Sequence, residues 1–123
     1  MKAWMIWFAT GGGVLAWALH LGIAWSVAEV SCYGSLDGNI LQRAGRGATA
    51  GWVEAGATVL PWLLALAAVI TNLAVRRRLR ALDPDVLAAG RTGLMLVMGL
   101  FLDVMALVAI TAGAIGLLVV EPC

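Results

Sequence analysis

Charged residues are scarce in this chain: Asp, Glu, Lys and Arg make up 12% of its 123 residues, whereas hydrophobic residues make up 63%. A water-soluble domain of this length needs a far more polar surface, so the composition excludes a soluble globular fold. The formal net charge is only +1, and no strong basic field is available to attract nucleic acid. We therefore expect no nucleic-acid partner.

Residues that commonly carry catalysis or bind metals are also few. The chain has one histidine and two cysteines, and it contains no P-loop and no GxSxG, CxxC, CxxCH or HExxH motif. Any haem or metal site within one chain would lack a second histidine ligand beside His20. We predict that the chain is not an enzyme by itself and holds no cofactor or metal, although it can belong to an oxidoreductase complex.

What the sequence does contain is three long apolar runs. Each of them meets the requirement of about 20 apolar residues for a bilayer crossing. The sequence therefore predicts an all-α, polytopic membrane protein with three transmembrane helices and a single membrane domain over residues 1–123. The predicted helices cover about 3–28, 50–80 with the span at 55–75, and 84–120 with the span at 92–120.

Basic residues cluster on one side of the predicted spans. By the positive-inside rule, the N-terminus and the 76–91 loop are cytoplasmic, and the C-terminus is periplasmic, in the inner membrane of a bacterium. The arginine cluster is interpreted as a topology anchor that contacts anionic phospholipids, and docking onto an acidic surface of a larger complex is the alternative. The cluster consists of Arg76, Arg77, Arg78 and Arg80, with Lys2 and Arg91 on the same predicted side.

Cys32 and Cys123 both fall on the predicted periplasmic side, where an oxidising environment permits a disulfide. Such a bridge would tie the first helix to the third, and it would stabilise the chain by about 4 kcal/mol in the chain-entropy model. The alternative is two unrelated free thiols. We predict that mass measurement after alkylation without reductant finds neither thiol modified, whereas two alkylated thiols would refute the bridge.

Two helix faces of small residues carry polar groups at membrane depth. His20 shares one face with Gly12 and Ala16, and Asp103 shares another with Gly99. An ionised carboxylate at this depth costs several kcal/mol unless it is paired, hydrated or protonated. We interpret Asp103 as a buried acid bonded to a neighbouring helix or partner subunit, and a proton relay or ion-coordinating site is the alternative.

His20 is interpreted as a packing histidine that faces another helix or subunit, with a metal ligand or a titrating group as alternatives. Asn72 can hydrogen-bond across helices, but its place near a helix end fits a boundary residue equally well. Pro61 is expected to kink the second helix near Ala57, because proline removes a backbone hydrogen bond. At the third helix, Asp83 and Pro84 predict the N-cap and first turn.

The first helix also carries a pattern at its outer half. Trp17 and His20 form a Trp-x-x-His pair, Trp25 follows, and Cys32 stands at the outer end. This pattern resembles the first helix of small bacterial membrane proteins that are encoded beside haem-copper cytochrome c oxidase genes. The resemblance covers residues 15–32. It implies an accessory subunit or an assembly partner of a terminal oxidase, with Trp17, His20 and Cys32 as the carried-over positions.

These observations favour a non-catalytic accessory subunit of a respiratory membrane complex, such as a terminal oxidase or a supercomplex containing one. Three helices are not expected to bury two polar faces by themselves, so we expect other membrane subunits as partners. The alternative is a small homo-oligomeric ion or proton transporter in which Asp103 lines a shared pathway, or an oxidase assembly factor. A single intramembrane carboxylate and the lack of an inverted repeat count against the transporter.

Overall fold

The computed structural model describes residues 3–33, 48–82, 85 and 90–119. These residues form three helices, which we label α1 (Ala3–Tyr33), α2 (Ala48–Leu82) and α3 (Arg91–Val119). Each helix contains a segment that is long and apolar enough to cross a membrane, of 24, 28 and 26 residues respectively. The predicted all-helical architecture, with three helices long and apolar enough to span a membrane, is thus confirmed.

The three helices run up, down and up, and each contacts the other two. One core layer joins Ala9 of α1 to Val75 of α2 and Leu96 of α3, with Met5 and Leu79 packed against it. A second core layer consists of Ala16, Ala65 and Ile110. Compared with the first layer, its residue numbers are higher in α1 and α3 and lower in α2. The start of α1, the end of α2 and the start of α3 therefore lie at the same end of the bundle.

The interior is built mainly from small side chains. Among the residues with described side chains, most of the buried apolar ones are alanines, whereas five tryptophans and many of the leucines and methionines are exposed on the outside. In lipid there is no hydrophobic drive to hide large side chains, and small residues let the backbones approach closely enough for dispersion contacts. The buried alanines are Ala9, Ala16, Ala57, Ala65, Ala68 and Ala106.

Glycines set the closest approaches between helices. A Cβ added at Gly99 of α3 would lie 2.7 Å from Cα of Thr10 and 2.8 Å from the carbonyl oxygen of Ala9, both in α1. A Cβ at Gly12 would lie 2.9 Å from Cβ of Ala68 in α2. Any larger residue at either position requires the helices to move apart.

The start of α3 corrects the sequence-based prediction. The helix was predicted to begin at Pro84, but α3 begins at Arg91 and follows a bend at Gly90. The carbonyl of Gly90 accepts the first bonds of the helix, from the backbone N–H of Gly93 at 3.0 Å and of Leu94 at 3.3 Å. Glycine is favoured at such a cap because its backbone adopts non-helical angles easily. Asp85 is helical, while the predicted cap at residues 83 and 84 lies outside the described residues.

Candidate functional site

Among the residues whose side chains the structure describes, three polar ones are buried in the interior, and each belongs to a different helix. His20 of α1 is 3% exposed, and Asn72 of α2 and Asp103 of α3 are 0% exposed. Polar groups at this depth have no water to bond to, so each must find its partners within the protein. All three side chains form hydrogen bonds with backbone groups of neighbouring helices.

Asn72 links α2 to both other helices. Its side-chain nitrogen donates to the carbonyl oxygen of Ala9 in α1 at 2.6 Å and to that of Leu96 in α3 at 3.0 Å. These bonds use both amide hydrogens and fix which end of the amide is nitrogen, since carbonyl oxygens only accept. The side-chain oxygen Oδ1 is buried and has no hydrogen-bond partner among the described residues. Asn72 therefore hydrogen-bonds across helices, which is one of the two interpretations that the sequence left open.

Asp103 links α3 to α1. Its Oδ1 accepts a hydrogen bond from the backbone N–H of Gly13 at 2.8 Å. A Cβ at Gly13 would lie 2.5 Å from both Cα and Oδ1 of Asp103, so only glycine fits here. The second carboxyl oxygen, Oδ2, is buried, and no residue in the described part of the chain bonds to it.

The bonds made by Asn72 and Asp103 meet on one turn of α1. The carbonyl of Ala9 and the N–H of Gly13 belong to residues four apart, which is the spacing of an α-helical hydrogen bond. One end of this turn is bonded to Asn72 and the other to Asp103. The glycine-rich segment of α1 is therefore the place where the three helices are tied together.

His20 makes a different link, from α1 to α2. Its Nδ1 lies 3.0 Å from the carbonyl oxygen of Ala57. The oxygen can only accept, so Nδ1 carries the hydrogen in this arrangement. Ala57 is four residues before Pro61, which lies inside α2 and has no N–H to donate. His20 thus occupies the place of the backbone hydrogen bond that Pro61 removes.

The other ring nitrogen of His20 faces α3. A Cβ added at Gly113 would lie 3.0 Å from Nε2, so the ring fills the space that this glycine leaves. Among the described residues, no hydrogen bond joins His20, Asn72 and Asp103 to one another, because each bonds to backbone. Nor do the described residues contain a group of three or more His, Cys, Asp or Glu side chains that could hold a metal ion. The geometry supports structural ties between helices.

The remaining residues singled out from the sequence lie partly in this interior and partly at the ends of the helices. Gly12, Ala16 and Gly99 are buried at the helix contacts. The arginine cluster lies at the end of α2, where Arg76 is partly buried and Arg77, Arg78 and Arg80 are exposed. Trp4 and Trp7 are exposed at the same end of the bundle. Cys123 and the side chain of Cys32 lie outside the described residues.

The expectation that three helices cannot bury both polar faces is wrong. His20 and Asp103 are enclosed by the helices of a single chain, and each side chain forms one hydrogen bond with a backbone group of another helix. Comparisons of the chain with protein-family models, with curated proteins and with solved structures found no match.

Proposed function

We propose that this chain is a non-catalytic accessory subunit of a bacterial respiratory membrane complex, namely a terminal haem-copper oxidase or a supercomplex containing one. The observation that carries the proposal is how the buried polar side chains are used. His20, Asn72 and Asp103 are each engaged in holding two helices of the same chain together. The interior therefore serves stability, and interactions with other molecules fall to the outer surface.

The outer surface of α3 is suited to packing against another membrane protein. Methionine is flexible and polarisable, and it adapts to the irregular shape of a neighbouring surface. Three of the exposed side chains of α3 are methionines, at positions 95, 98 and 105, and they stand beside leucine, valine and phenylalanine. This composition supports a role in which α3 contacts a larger subunit while α1 and α2 complete the fold. The exposed set includes Leu94, Met95, Met98, Phe101, Leu102, Met105 and Val108.

Under this proposal the arginine end of the bundle lies at the cytoplasmic face of the bacterial inner membrane. The exposed guanidinium groups of Arg77, Arg78 and Arg80 would contact anionic phospholipids there. Trp4 and Trp7, exposed at the same end, are suited to the headgroup region because one side of the indole ring is polar. The N-terminus of the chain is then cytoplasmic, and the end of α3 is periplasmic.

The alternative of a homo-oligomeric transporter is less well supported by the geometry. A shared pathway between copies would need Asp103 on an outer face of the chain. Its carboxyl group is instead fully buried and bonded to Gly13 of the same chain. Nothing observed among the described residues favours ion transport over a role in helix packing.

Affinity purification tests the accessory-subunit proposal. When membranes are solubilised in mild detergent and the chain is recovered through an N-terminal tag, we expect haem-containing subunits to copurify. Optical spectra would detect the haem, and mass spectrometry would identify the subunits. Recovery of the chain without haem-containing partners would contradict the proposal.

A pair of variants locates the contact. We expect Met98→Trp on the outer face of α3 to reduce the copurified haem several-fold, because the larger ring disturbs a packed interface. Leu15→Trp on the outer face of α1 is the matched control, since Leu15 is likewise an exposed large apolar residue. Equal recovery with both variants would argue against α3 as the contact surface.

A further inference from the structure

Positive charge is concentrated where α2 ends and α3 begins, at one end of the bundle. The segment 76–91 contains five arginines and only two acidic residues, so this end keeps an excess of positive charge. Guanidinium groups that are held near one another repel each other, and an anion between them lowers the energy. The arginines are Arg76, Arg77, Arg78 and Arg80 of α2 and Arg91 of α3.

The register of α2 and α3 brings Arg76 and Arg91 to one level. Asn72 of α2 donates to the carbonyl oxygen of Leu96 in α3 at 3.0 Å, which fixes the two helices side by side at that height. Towards the arginine end, Arg76 lies about 6 Å beyond Asn72, and Arg91 lies about 7.5 Å beyond Leu96. Axes of packed helices are about 8–10 Å apart. Arginine side chains from the two helices can therefore approach the same ligand.

Arg76 and Arg80 lie on the flank of α2 that is turned towards α3. Ala68 marks the side that faces α1, because a Cβ at Gly12 of α1 would lie 2.9 Å from its Cβ. Each step of four residues moves about 40° around a helix. Asn72, one step from Ala68, bonds to both α1 and α3. Arg76 and Arg80, two and three steps from Ala68, thus pass onto the α3 side.

Deeper in the bundle the same flank of α2 is apolar. Val69 and Leu73 precede Arg76 and Arg80 at spacings of four, three and four residues, so all four positions share one face. Val69 is partly buried and Leu73 is exposed. A hydrocarbon chain can contact this part of the flank while an anionic group contacts the arginines. The combination fits a phospholipid, whereas a free phosphate ion has no apolar part.

We infer that Arg76, Arg80 and Arg91 form a binding site for one anionic phospholipid in the groove between α2 and α3. The guanidinium groups bind the phosphate oxygens through paired, charge-assisted hydrogen bonds. Leu73 contacts an acyl chain below them. The inference deepens the proposed contact of the arginine end with anionic lipids and rests on that placement. It does not rest on membership of a respiratory complex.

Native mass spectrometry of the full-length protein tests the site. The detergent-purified protein is titrated with phosphatidylglycerol and, separately, with phosphatidylcholine of the same acyl chains, whose phosphate is paired with its own choline cation. We expect the first phosphatidylglycerol to bind about tenfold more tightly than phosphatidylcholine, because charge-assisted bonds are stronger. A third titration uses inorganic phosphate. If phosphate bound as tightly as phosphatidylglycerol, the ligand would be the free anion and the lipid site would be refuted.

Matched removals of one charge locate the site. Arg76→Gln and Arg91→Gln are each expected to weaken the binding of phosphatidylglycerol about tenfold, because hydrogen bonds to a charged group are lost. Arg78→Gln is the control, because it removes the same charge from the same helix. Arg78 lies about 80° from Ala68 in the opposite sense, away from α3, and we expect its loss to weaken binding by about twofold or less.

Two further results would overturn the inference. Equal weakening by Arg76→Gln and Arg78→Gln would mean that the arginine end acts only through its overall charge. Equal affinity of the wild type for the two lipids would mean that no anionic headgroup is selected. Neither result depends on copurified haem, so failure of the lipid site and failure of the accessory-subunit proposal are distinguishable. The wild-type titrations need no variant and remain decisive if a variant does not fold.

Discussion

Replacing Gly13 with alanine is expected to lower the free energy of unfolding by about 2–5 kcal/mol. The added Cβ would lie 2.5 Å from both Cα and Oδ1 of Asp103, and Cα is backbone that cannot rotate away. Helix α3 must therefore move from α1, and the hydrogen bond from Gly13 to Asp103 is lost. The displaced carboxyl group then has neither oxygen bonded. Unfolding of the detergent-solubilised protein, followed by circular dichroism, would measure the loss.

Neighbouring glycines in the same triplet provide the control. A Cβ at Gly11 would meet nothing within 4 Å, so Gly11→Ala changes the same residue type, two positions away, without a clash. We expect this variant to be as stable as the wild type or slightly more stable, because alanine favours the helix. Equal destabilisation by the two substitutions would mean that helix propensity, and not the contact with Asp103, explains the effect.

The second large effect concerns His20 and Pro61. His20→Phe is expected to cost about 1–3 kcal/mol, because the carbonyl of Ala57 loses its donor. In Pro61→Ala the new backbone N–H can bond to that carbonyl, since the two residues are four apart in α2. His20→Phe should therefore cost less in the alanine background. A double-mutant cycle of unfolding free energies is expected to give a coupling of about 1–2 kcal/mol.

A second cycle serves as the reference for this coupling. Leu64 lies on the exposed side of α2, so His20→Phe and Leu64→Ala should act independently. Their effects are expected to add within about 0.5 kcal/mol. If His20→Phe and Pro61→Ala also added within that range, the role of His20 as a substitute donor would be refuted.

The sequence predicted the number and type of the helices because membrane crossing leaves a strong signal. Apolar length and the scarcity of charge suffice for that prediction, since no other structure satisfies the backbone in lipid except a closed barrel. The small-residue faces around His20 and Asp103 also indicated which sides meet other helices. These properties depend on each helix separately, and so they can be read from a single sequence.

The partners of the polar groups depend on how the helices pack, and here the sequence was insufficient. Pro61 was expected to disturb α2 near Ala57, and His20 was expected to face another helix. To predict that His20 bonds to Ala57, one must know how far α1 is shifted along the bundle axis relative to α2. Composition does not encode this shift. The role of Asn72 likewise follows from its reach to Ala9 and Leu96 at once. In the sequence, an asparagine near a helix end looks the same whether it ties helices together or marks the membrane boundary.

The expectation that three helices cannot bury both polar faces failed for a related reason. It assumed that His20 and Asp103 need other side chains, of which the sequence has few. A helical carbonyl has a second lone pair, however, and it can accept from a side chain as well as from its own helix. The carbonyls of Ala9 and Leu96 are used in this way by Asn72. Backbone groups are present in every helix, so counting polar side chains underestimates what a small bundle can satisfy.

The start of α3 shows a limit of local signals. Asp83 and Pro84 are favourable residues for a helix start, and Gly90 is favourable at a cap as well. Both signals stand within one short stretch, and the sequence does not rank them. In the structure, the carbonyl of Gly90 accepts the first bonds of α3.

The attachment of Asp103 to the backbone of Gly13 bears on biosynthesis. A ribosome makes the chain from its N-terminus, so the segments of α1 and α2 leave it before Asp103 is joined to the chain. The residue whose amide hydrogen bonds to Asp103 is therefore synthesised before the acidic residue itself. The costliest residue to insert is made last of the three polar ones, after both segments that shelter it.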